Sequence, residues 1–270
     1  MAAFGPDFQK YTSPFLYVPS NRAGLWSGLG LLLLIGLVYF ILQSVVGLAI
    51  SVLGFQAEWN NQSALIKASI IGVFPASIPL AAFIWWVSKF RGGAPRDVLA
   101  LRFPRLGWLG WLLVVFGFII AMYAVVILIV YVFQIDLSQF QMGTDGEMEA
   151  QDLVKQGMIE LAREPTLYWL AFLSVAVGAP IGEELVFRGY MFSLLSKTRV
   201  GLAGATLVTS ASWALLHKGT GPWFLVGILF VMGIVLSCLL IRFGSLWVIM
   251  ICHSAWNTFS ALTIFGISDQ

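Results

Sequence analysis

Seven long apolar runs limit what this chain can fold into. A helix needs roughly 20 apolar residues to cross about 30 Å of hydrocarbon, and most of these runs reach or exceed that length. Only 10% of the 270 residues are charged, against about 25% in soluble domains. We therefore predict an all-α fold, a polytopic transmembrane helical bundle of about seven spanning helices in a single integral membrane domain, residues 1–270. An eighth, interfacial or re-entrant segment is left open. The runs are 25–55, 64–87, 106–133, 166–195, 201–217, 223–241 and 246–267.

The basic residues predict which side of the membrane holds the N-terminus. With the N-terminus in the cytoplasm, ten of the 15 Lys and Arg residues fall on the cytoplasmic side and four on the outer side, while Arg188 lies within a run. Short cytoplasmic loops are enriched in Lys and Arg. We therefore expect a multi-pass protein with a cytoplasmic N-terminus, in a bacterial inner (plasma) membrane. The outer loop 136–164 is acidic, and its residues 150–162 are interpreted as an amphipathic surface helix.

Six polar residues lie inside the later runs, where lipid-facing side chains would be apolar. An ionisable residue at the bilayer centre costs roughly 2.5–3.5 kcal/mol on insertion scales, so such groups need partners or a wet cavity. Counted from the cytoplasmic ends of their helices at about 1.5 Å per residue, Glu183, His217, His253 and Asn257 lie roughly 14–24 Å deep. Three helices therefore bring polar groups to one level. The six residues are Glu183, Glu184, Arg188, His217, His253 and Asn257.

Helical spacing assigns partners to some of these residues. Glu184 and Arg188 are four residues apart, so they share a helix face and are predicted to pair. Glu183 is rotated by about 100° from that face, which leaves its carboxylate to face a cavity. Trp213 and His217 are also four apart, which predicts that the indole packs on the imidazole.

One carboxylate, two imidazoles and one carboxamide suit the attack of water on a carbonyl. Glu183 can act as a general base, and His217 can share the water or pass its proton to a leaving amine. His253 and Asn257, four residues apart on one helix face, can donate hydrogen bonds to the developing oxyanion. The residues alone leave three functions open: an intramembrane hydrolase, an ion or proton pathway in a transporter, and a structural polar network. The interrupted half-helices typical of transporter repeats are not seen, which disfavours the second.

Three short motifs, in this order along the chain, resemble those of one protease family. The sequence EELVFR at Glu183–Arg188 matches EExxxR, WALLH at Trp213–His217 matches FxxxH, and HSAWN at His253–Asn257 matches HxxxN. These motifs are typical of the CAAX-protease and bacteriocin-processing family, also called CPBP or Abi, which includes prenyl-protein endopeptidases of the Rce1 type. The resemblance covers about residues 166–259, and we expect a CPBP-like catalytic core at residues 160–260.

The resemblance implies an intramembrane endopeptidase of the glutamic type. It implies that Glu183 is the catalytic glutamate, that His217 helps to activate water, and that His253 and Asn257 form the oxyanion site. Glu184 and Arg188 are expected to organise the motif. Trp213 stands where the family has phenylalanine, and we expect another aromatic ring to preserve the packing against His217. The implied catalytic residues are Glu183, His217, His253 and Asn257.

The use of a metal distinguishes two versions of this mechanism. The Rce1-like resemblance favours a metal-free reaction without a cofactor. The alternative is a zinc enzyme with Glu183, His217 and His253 as ligands, because His₂Glu is a known catalytic ligand set. The sequence contains no HExxH motif, which disfavours zinc.

The expected partners are a lipid bilayer and a substrate, either a membrane protein or a lipidated, CAAX-like peptide. The formal charge of +2 is too small to indicate nucleic acid. A non-catalytic membrane scaffold or a transporter that uses the same polar pocket is the rival function. Oligomeric state, the role of the acidic loop and prenylation of the substrate are left open.

Overall fold

The computed structural model describes residues 24–54, 61–91, 94–104, 106–135, 156–161, 163–220 and 222–267. Within these ranges the fold is all-helical and contains no strand, which confirms the predicted fold class. The N-terminal residues 1–23, Phe55 and most of the acidic loop, residues 136–155, lie outside the described residues. The predicted orientation across the membrane depends partly on these segments and stays a prediction.

Nine helices occur in the described part of the chain. Five of them are long and apolar enough to cross a membrane, namely α1, α2, α4, α6 and α8, whereas α7 and the part of α9 at Leu246–Leu262 are shorter apolar segments. All seven predicted runs are therefore helical, while the number of crossings stays a prediction. The helices are α1 (Leu25–Ala49, continued by a π-helical turn at Ile50–Gly54), α2 (Gln62–Lys89), α3 (Pro95–Val98), α4 (Trp108–Val132), α5 (156–161), α6 (Pro165–Leu173, continued without a break to Phe192–Leu195), α7 (Gly201–Leu216), α8 (Trp223–Phe243) and α9 (Leu246–Ile267).

The surfaces of α1 and α4 are apolar and face away from the bundle. The buried residues of α1 are Gly28, Ile35 and Gly47, and most of its large apolar side chains are exposed. A soluble monomer rarely exposes apolar patches of this size, whereas a lipid-facing helix is expected to do so. The chain is therefore an integral membrane protein.

The helices α2 and α6 meet where both backbones are irregular. Pro75 lies inside α2 and cannot donate to the carbonyl of Ile71, four residues earlier. Ser174 of α6 donates its hydroxyl to that carbonyl over 2.6 Å and accepts the backbone N–H of Phe74 at 3.2 Å. One turn further on, Gly178 packs so closely that an added Cβ would lie 2.6 Å from Cα of Phe74. This contact fixes α6 just before its charged residues.

Two short segments pack against the long helices. The helix α5 lies against α2 through an ion pair of 2.9 Å between Glu160 and Lys67, and Leu161 is fully buried there. It is the described part of the predicted amphipathic helix 150–162. After α3, the carbonyl of Ala100 accepts the backbone N–H of Leu246 over 2.8 Å, which ties this segment to the start of α9.

Candidate active site

The winding of α6 changes on both sides of its two glutamates. π-helical turns flank a short α-helical stretch, and Pro180 explains the first of them because it has no N–H and its ring clashes with the carbonyl four residues earlier. The wider turn lets the N–H of Ala179 donate to the carbonyl of Ser174, five residues back. Such turns are frequent at functional sites. The three stretches are Ser174–Gly178 (π), Ala179–Glu184 (α) and Leu185–Met191 (π).

Glu184 and Arg188 form the ion pair that their spacing predicts. Nη1 of Arg188 donates to Oε1 of Glu184 over 3.2 Å, and neither side chain is exposed. The same Oε1 lies 2.8 Å from Nδ1 of His253. The guanidinium of Arg188 also lies over the ring of Trp213, 4.6 Å from its centroid. A buried charge is tolerated only when it is paired and hydrogen-bonded. The network meets that condition at Oε1 of Glu184, while Oε2 of Glu184 and both Nε and Nη2 of Arg188 have no hydrogen-bond partner among the described residues.

Glu183 has a different environment from its neighbour. It keeps 14% of its side chain exposed, and its Oε1 lies 3.8 Å from Nε2 of His217. Its Oε2 lies 4.0 Å from Nε2 of His253 and accepts a hydrogen bond of 2.6 Å from Nε1 of Trp213. The three helices α6, α7 and α9 thus bring a partly accessible carboxylate together with both histidines of the chain.

His217 is oriented by the end of α7. Its Nδ1 lies 2.9 Å from the carbonyl of Trp213, and a carbonyl can only accept, so Nδ1 carries the proton of the neutral ring. The unprotonated Nε2 then faces Glu183. The two rings of Trp213 and His217 meet edge to face at 5.1 Å, which is the packing that their spacing predicts.

Asn257 contacts the backbone of α6. Its Nδ2 donates to the carbonyl of Val175 over 2.9 Å. In a π-helical turn this carbonyl would accept the N–H of the residue five positions later, which is Pro180 and has none. Asn257 therefore supplies the missing donor and joins α9 to α6. One N–H of its amide remains for another acceptor, so its role in an oxyanion site stays a prediction.

Residues 165–259 match the model of one protein family, described as Type II CAAX prenyl endopeptidase Rce1-like. This segment resembles the Rce1-like family. The match confirms the resemblance that the three motifs predict, and it contains every predicted site residue. It is a match to a protease family, which supports a peptidase with a protein or peptide substrate at a membrane. No curated protein and no solved structure matches the chain.

One residue near the site lies outside the Rce1-like segment and was missed by the sequence analysis. Tyr39 of α1 is half-buried, and its phenol lies close enough to Glu183 to interact electrostatically with the carboxylate. Gln43, one turn further along α1, lies beside the same phenol. A polar pair at four-residue spacing inside an otherwise apolar run was the signal available in the sequence.

The packing of α1 against α6 explains the position of Tyr39. Gly28 lies against Leu194, where an added Cβ would clash with the leucine side chain. Tyr39 lies 11 residues after Gly28, and Glu183 lies 11 residues before Leu194. Because the two helices run in opposite directions, both residues lie about 16 Å from this contact at 1.5 Å per residue. The helix α1 therefore brings one polar side chain within electrostatic range of Glu183.

The fit of a zinc ion to this site depends on the ring nitrogens of the two histidines and the carboxylate oxygens of Glu183. Zinc bonds of about 2.0–2.2 Å require ligands that converge on one point, and the Nε2 atoms of His217 and His253 lie 3.8 and 4.0 Å from two different oxygens of Glu183. Within the described ranges, no group of three or more His, Cys, Asp or Glu side chains is arranged to hold a metal ion. In this arrangement the three side chains therefore do not converge as zinc ligands, and metal dependence is tested below.

Proposed function

We propose that the protein is an intramembrane endopeptidase of the glutamic type, which hydrolyses a peptide bond in a membrane-bound or lipidated protein or peptide. The observation that carries this proposal is the position of Glu183 between two oriented histidines. Their Nε2 atoms lie 3.8 and 4.0 Å from its carboxylate oxygens. Each ring is held by a contact of its Nδ1, His217 at a backbone carbonyl and His253 at Glu184.

The first step uses the gap between Glu183 and His217. A separation of 3.8 Å is too long for a direct hydrogen bond and suits one bridging water. Oε1 of Glu183 and Nε2 of His217 are both acceptors, so the water donates one hydrogen to each. As the water oxygen bonds to the peptide carbonyl carbon, Glu183 takes a proton and a tetrahedral oxyanion forms. Glu183 then passes this proton to the amine nitrogen, which breaks the C–N bond. The remaining hydroxyl proton leaves through Nε2 of His217, so that a carboxylate and an amine are formed.

The oxyanion is stabilised from α9. When both nitrogens of the His253 ring are protonated, Nδ1 donates to Glu184 and Nε2 donates to the oxyanion. The positive charges of His253 and Arg188 then balance the negative charges of Glu183 and Glu184, and a poorly solvated site favours such a balance. The second N–H of Asn257 is the other donor. Removal of one such donor costs about 10²–10³-fold in kcat in characterised enzymes.

The substrate class follows from where the site lies. The match to a family of CAAX prenyl endopeptidases and the placement of Glu183 between apolar helices support a substrate that is itself held at the membrane. A peptide with a lipidated cysteine near its C-terminus is therefore the first probe, and an unmodified transmembrane peptide is the second. Cleavage of one and not the other identifies the class.

The proposal is tested with Glu183→Gln, which keeps the size of the side chain and removes its charge. Wild type and variant are compared in host membranes at equal abundance and equal melting temperature, and the termini of membrane peptides are sequenced. We expect new termini with wild type that are absent with Glu183→Gln. Glu164→Gln is the matched control, because Glu164 is exposed at the start of α6. Identical termini in all three samples would indicate a binding scaffold or a transporter instead.

The metal-free version has its own test. We expect cleavage by the purified protein to continue at the same rate after treatment with a strong chelator. Loss of activity that added zinc restores would establish the zinc mechanism with Glu183, His217 and His253 as ligands.

A further inference from the structure

The indole of Trp213 binds directly to the carboxylate that the proposed mechanism uses. Its Nε1 donates to Oε2 of Glu183 over 2.6 Å, and the side chain is 1% exposed. An indole has one N–H donor and no acceptor, so this bond satisfies its whole hydrogen-bonding capacity. A hydrogen bond to a charged acceptor is about twice as strong as one between neutral groups. Phenylalanine, which the FxxxH motif has at this position, has no donor to make it.

The ring of Trp213 is held by the other members of the site. It meets His217 edge to face at 5.1 Å and His253 edge to face at 5.3 Å. The guanidinium of Arg188 lies 4.6 Å from its centroid. With neighbours from α6, α7 and α9 around it, the indole has no free rotamer, and its N–H stays directed at Glu183.

The two oxygens of Glu183 therefore have different environments. Oε2 accepts the indole N–H and also lies 4.0 Å from His253. Oε1 faces His217 across 3.8 Å. An oxygen that already accepts a short hydrogen bond is a weaker base than one that does not, so Oε1 is the atom that receives the proton from water.

We propose that Trp213 is a positioning residue that orients Glu183 and stabilises its ionised form, so that Oε1 alone acts as the base. This inference rests on the proposed function of Glu183. It assigns to Trp213 a role that aromatic packing does not supply. A variant that keeps an aromatic ring at this position and removes the N–H should therefore fold normally and lose the orientation of Glu183.

The first test reads the hydrogen bond without any cleavage assay. The indole N–H signals of the 11 tryptophans are recorded by NMR in micelles, and Trp213→Phe identifies the signal of Trp213. We expect this signal to lie far downfield, because the N–H donates a hydrogen bond of 2.6 Å to a carboxylate oxygen. In Glu183→Gln it should lie upfield of its wild-type position. A signal that is unchanged by Glu183→Gln would overturn the inference, whether or not the protein is a protease.

The second test is kinetic and uses the lipidated peptide. We expect Trp213→Phe to lower kcat at neutral pH by tenfold or more, with KM within about twofold, because Trp213 does not touch the substrate. The pH dependence of kcat should change as well, because Oε2 of Glu183 has lost its indole donor. The ionisable groups around Glu183 stay unchanged in this variant. They are Glu184 and Arg188 of α6, His217 of α7, His253 of α9 and Tyr39 of α1.

Two controls separate positioning from packing. Trp247→Phe removes an indole N–H elsewhere, where the ring packs on Phe103 at 5.3 Å, and should leave kcat and the pH profile unchanged. If Trp213→Phe does not fold, benzothienylalanine at this position keeps the bicyclic shape and replaces the N–H by sulfur. Wild-type kcat and pH profile in either folded variant would show that the indole only packs. Absence of cleavage by wild type on every substrate would instead contradict the proposed function. The NMR result would still show whether Trp213 donates a hydrogen bond to Glu183.

Discussion

Oε1 of Glu184 accepts a hydrogen bond of 2.8 Å from Nδ1 of His253. The same oxygen accepts the guanidinium of Arg188 over 3.2 Å, so one buried carboxylate joins two helices and balances a buried cation. A histidine held in this way has one orientation, and its other nitrogen is directed towards Glu183. In the proposed mechanism, the second glutamate of the motif therefore acts through His253 rather than on a substrate.

Removal of the Arg188 guanidinium should leave Glu184 buried without its ionic partner. We expect Arg188→Met to lower the free energy of unfolding by about 3–5 kcal/mol, the usual cost of breaking a buried pair on one side. Arg102→Met is the control, because its pair with Asp97 is exposed, with 63% and 38% of the two side chains accessible, and should change stability by less than about 1 kcal/mol. Denaturant unfolding in mixed micelles measures both. A loss below about 1 kcal/mol in Arg188→Met would contradict the description of this pair.

Gly233 of α8 lies next to the guanidinium of Arg188, in the ion pair between Glu184 and Arg188. A Cβ at this position would lie 2.8 Å from Nη2 of Arg188 and 2.8 Å from Oγ of Ser210. We expect Gly233→Ala to destabilise the protein by about 1–3 kcal/mol, as overpacking does, and to lower activity by displacing Arg188. Gly227 is on the same helix with nothing within 4 Å, so Gly227→Ala should be neutral or slightly stabilising. Melting temperatures and cleavage rates compare the two; equal behaviour would show that the space behind Arg188 is not restricted.

Tyr39 should contribute to activity from outside the Rce1-like segment. Its phenol lies within electrostatic range of Glu183, so Tyr39→Phe removes a polar hydroxyl from the surroundings of the carboxylate. We expect cleavage to fall about three- to tenfold, less than the roughly 10²–10³-fold loss for a donor in direct contact with the oxyanion. The melting temperature should not change. Tyr131, 81% exposed on α4, provides the control Tyr131→Phe. A rate equal to wild type would show that α1 does not act on the site.

The contact between α5 and α2 should depend on pH. The hydrogen bond from Lys67 lowers the pKa of Glu160 below its usual range, so the pair stabilises the contact above the ordinary glutamate value of about 4.3. The effect is lost as the pH falls through the lowered pKa. Because both side chains are partly exposed, 24% and 32%, we expect a contribution below about 1 kcal/mol.

Hydrogen exchange of residues 156–161 measures this contribution. Lys67→Met should speed exchange at pH 7 and lose that effect in acid, where wild type and variant converge. Lys197→Met, a change on an exposed side chain distant in sequence, should have no effect at either pH. A difference between wild type and Lys67→Met that persists in acid would show that the lysine packs there without help from its charge.

Contacts within one helix could be predicted from the sequence, because the helical repeat alone determines them. The apolar runs predict the helices to within a few residues, and four-residue spacing predicts the pairing of Glu184 with Arg188 and the packing of Trp213 on His217. The separate environment of Glu183 also follows from the repeat. None of these predictions requires knowledge of which helices are neighbours.

Contacts between helices could not be predicted in the same way. The hydrogen bond from Trp213 to Glu183 and that from Asn257 to Val175 depend on how far one helix is displaced along another. Pro180 also changes the winding of α6, so side-chain directions before and after it differ from those of a regular helix. From the sequence, Trp213 is interpreted as a simple replacement for phenylalanine. The residue type shows that the side chain is aromatic, but it does not show the direction of the N–H.

The two neighbouring glutamates should respond differently to selection. Glu184 is fully buried within an ion-pair network, whereas Glu183 is partly accessible and lies 3.8 and 4.0 Å from the two histidines. A library screened only for loss of activity would place both positions among the intolerant ones. A parallel screen for protein abundance should separate them: most replacements of Glu184 would reduce the amount of folded protein, while many replacements of Glu183 would yield normal amounts of an inactive one.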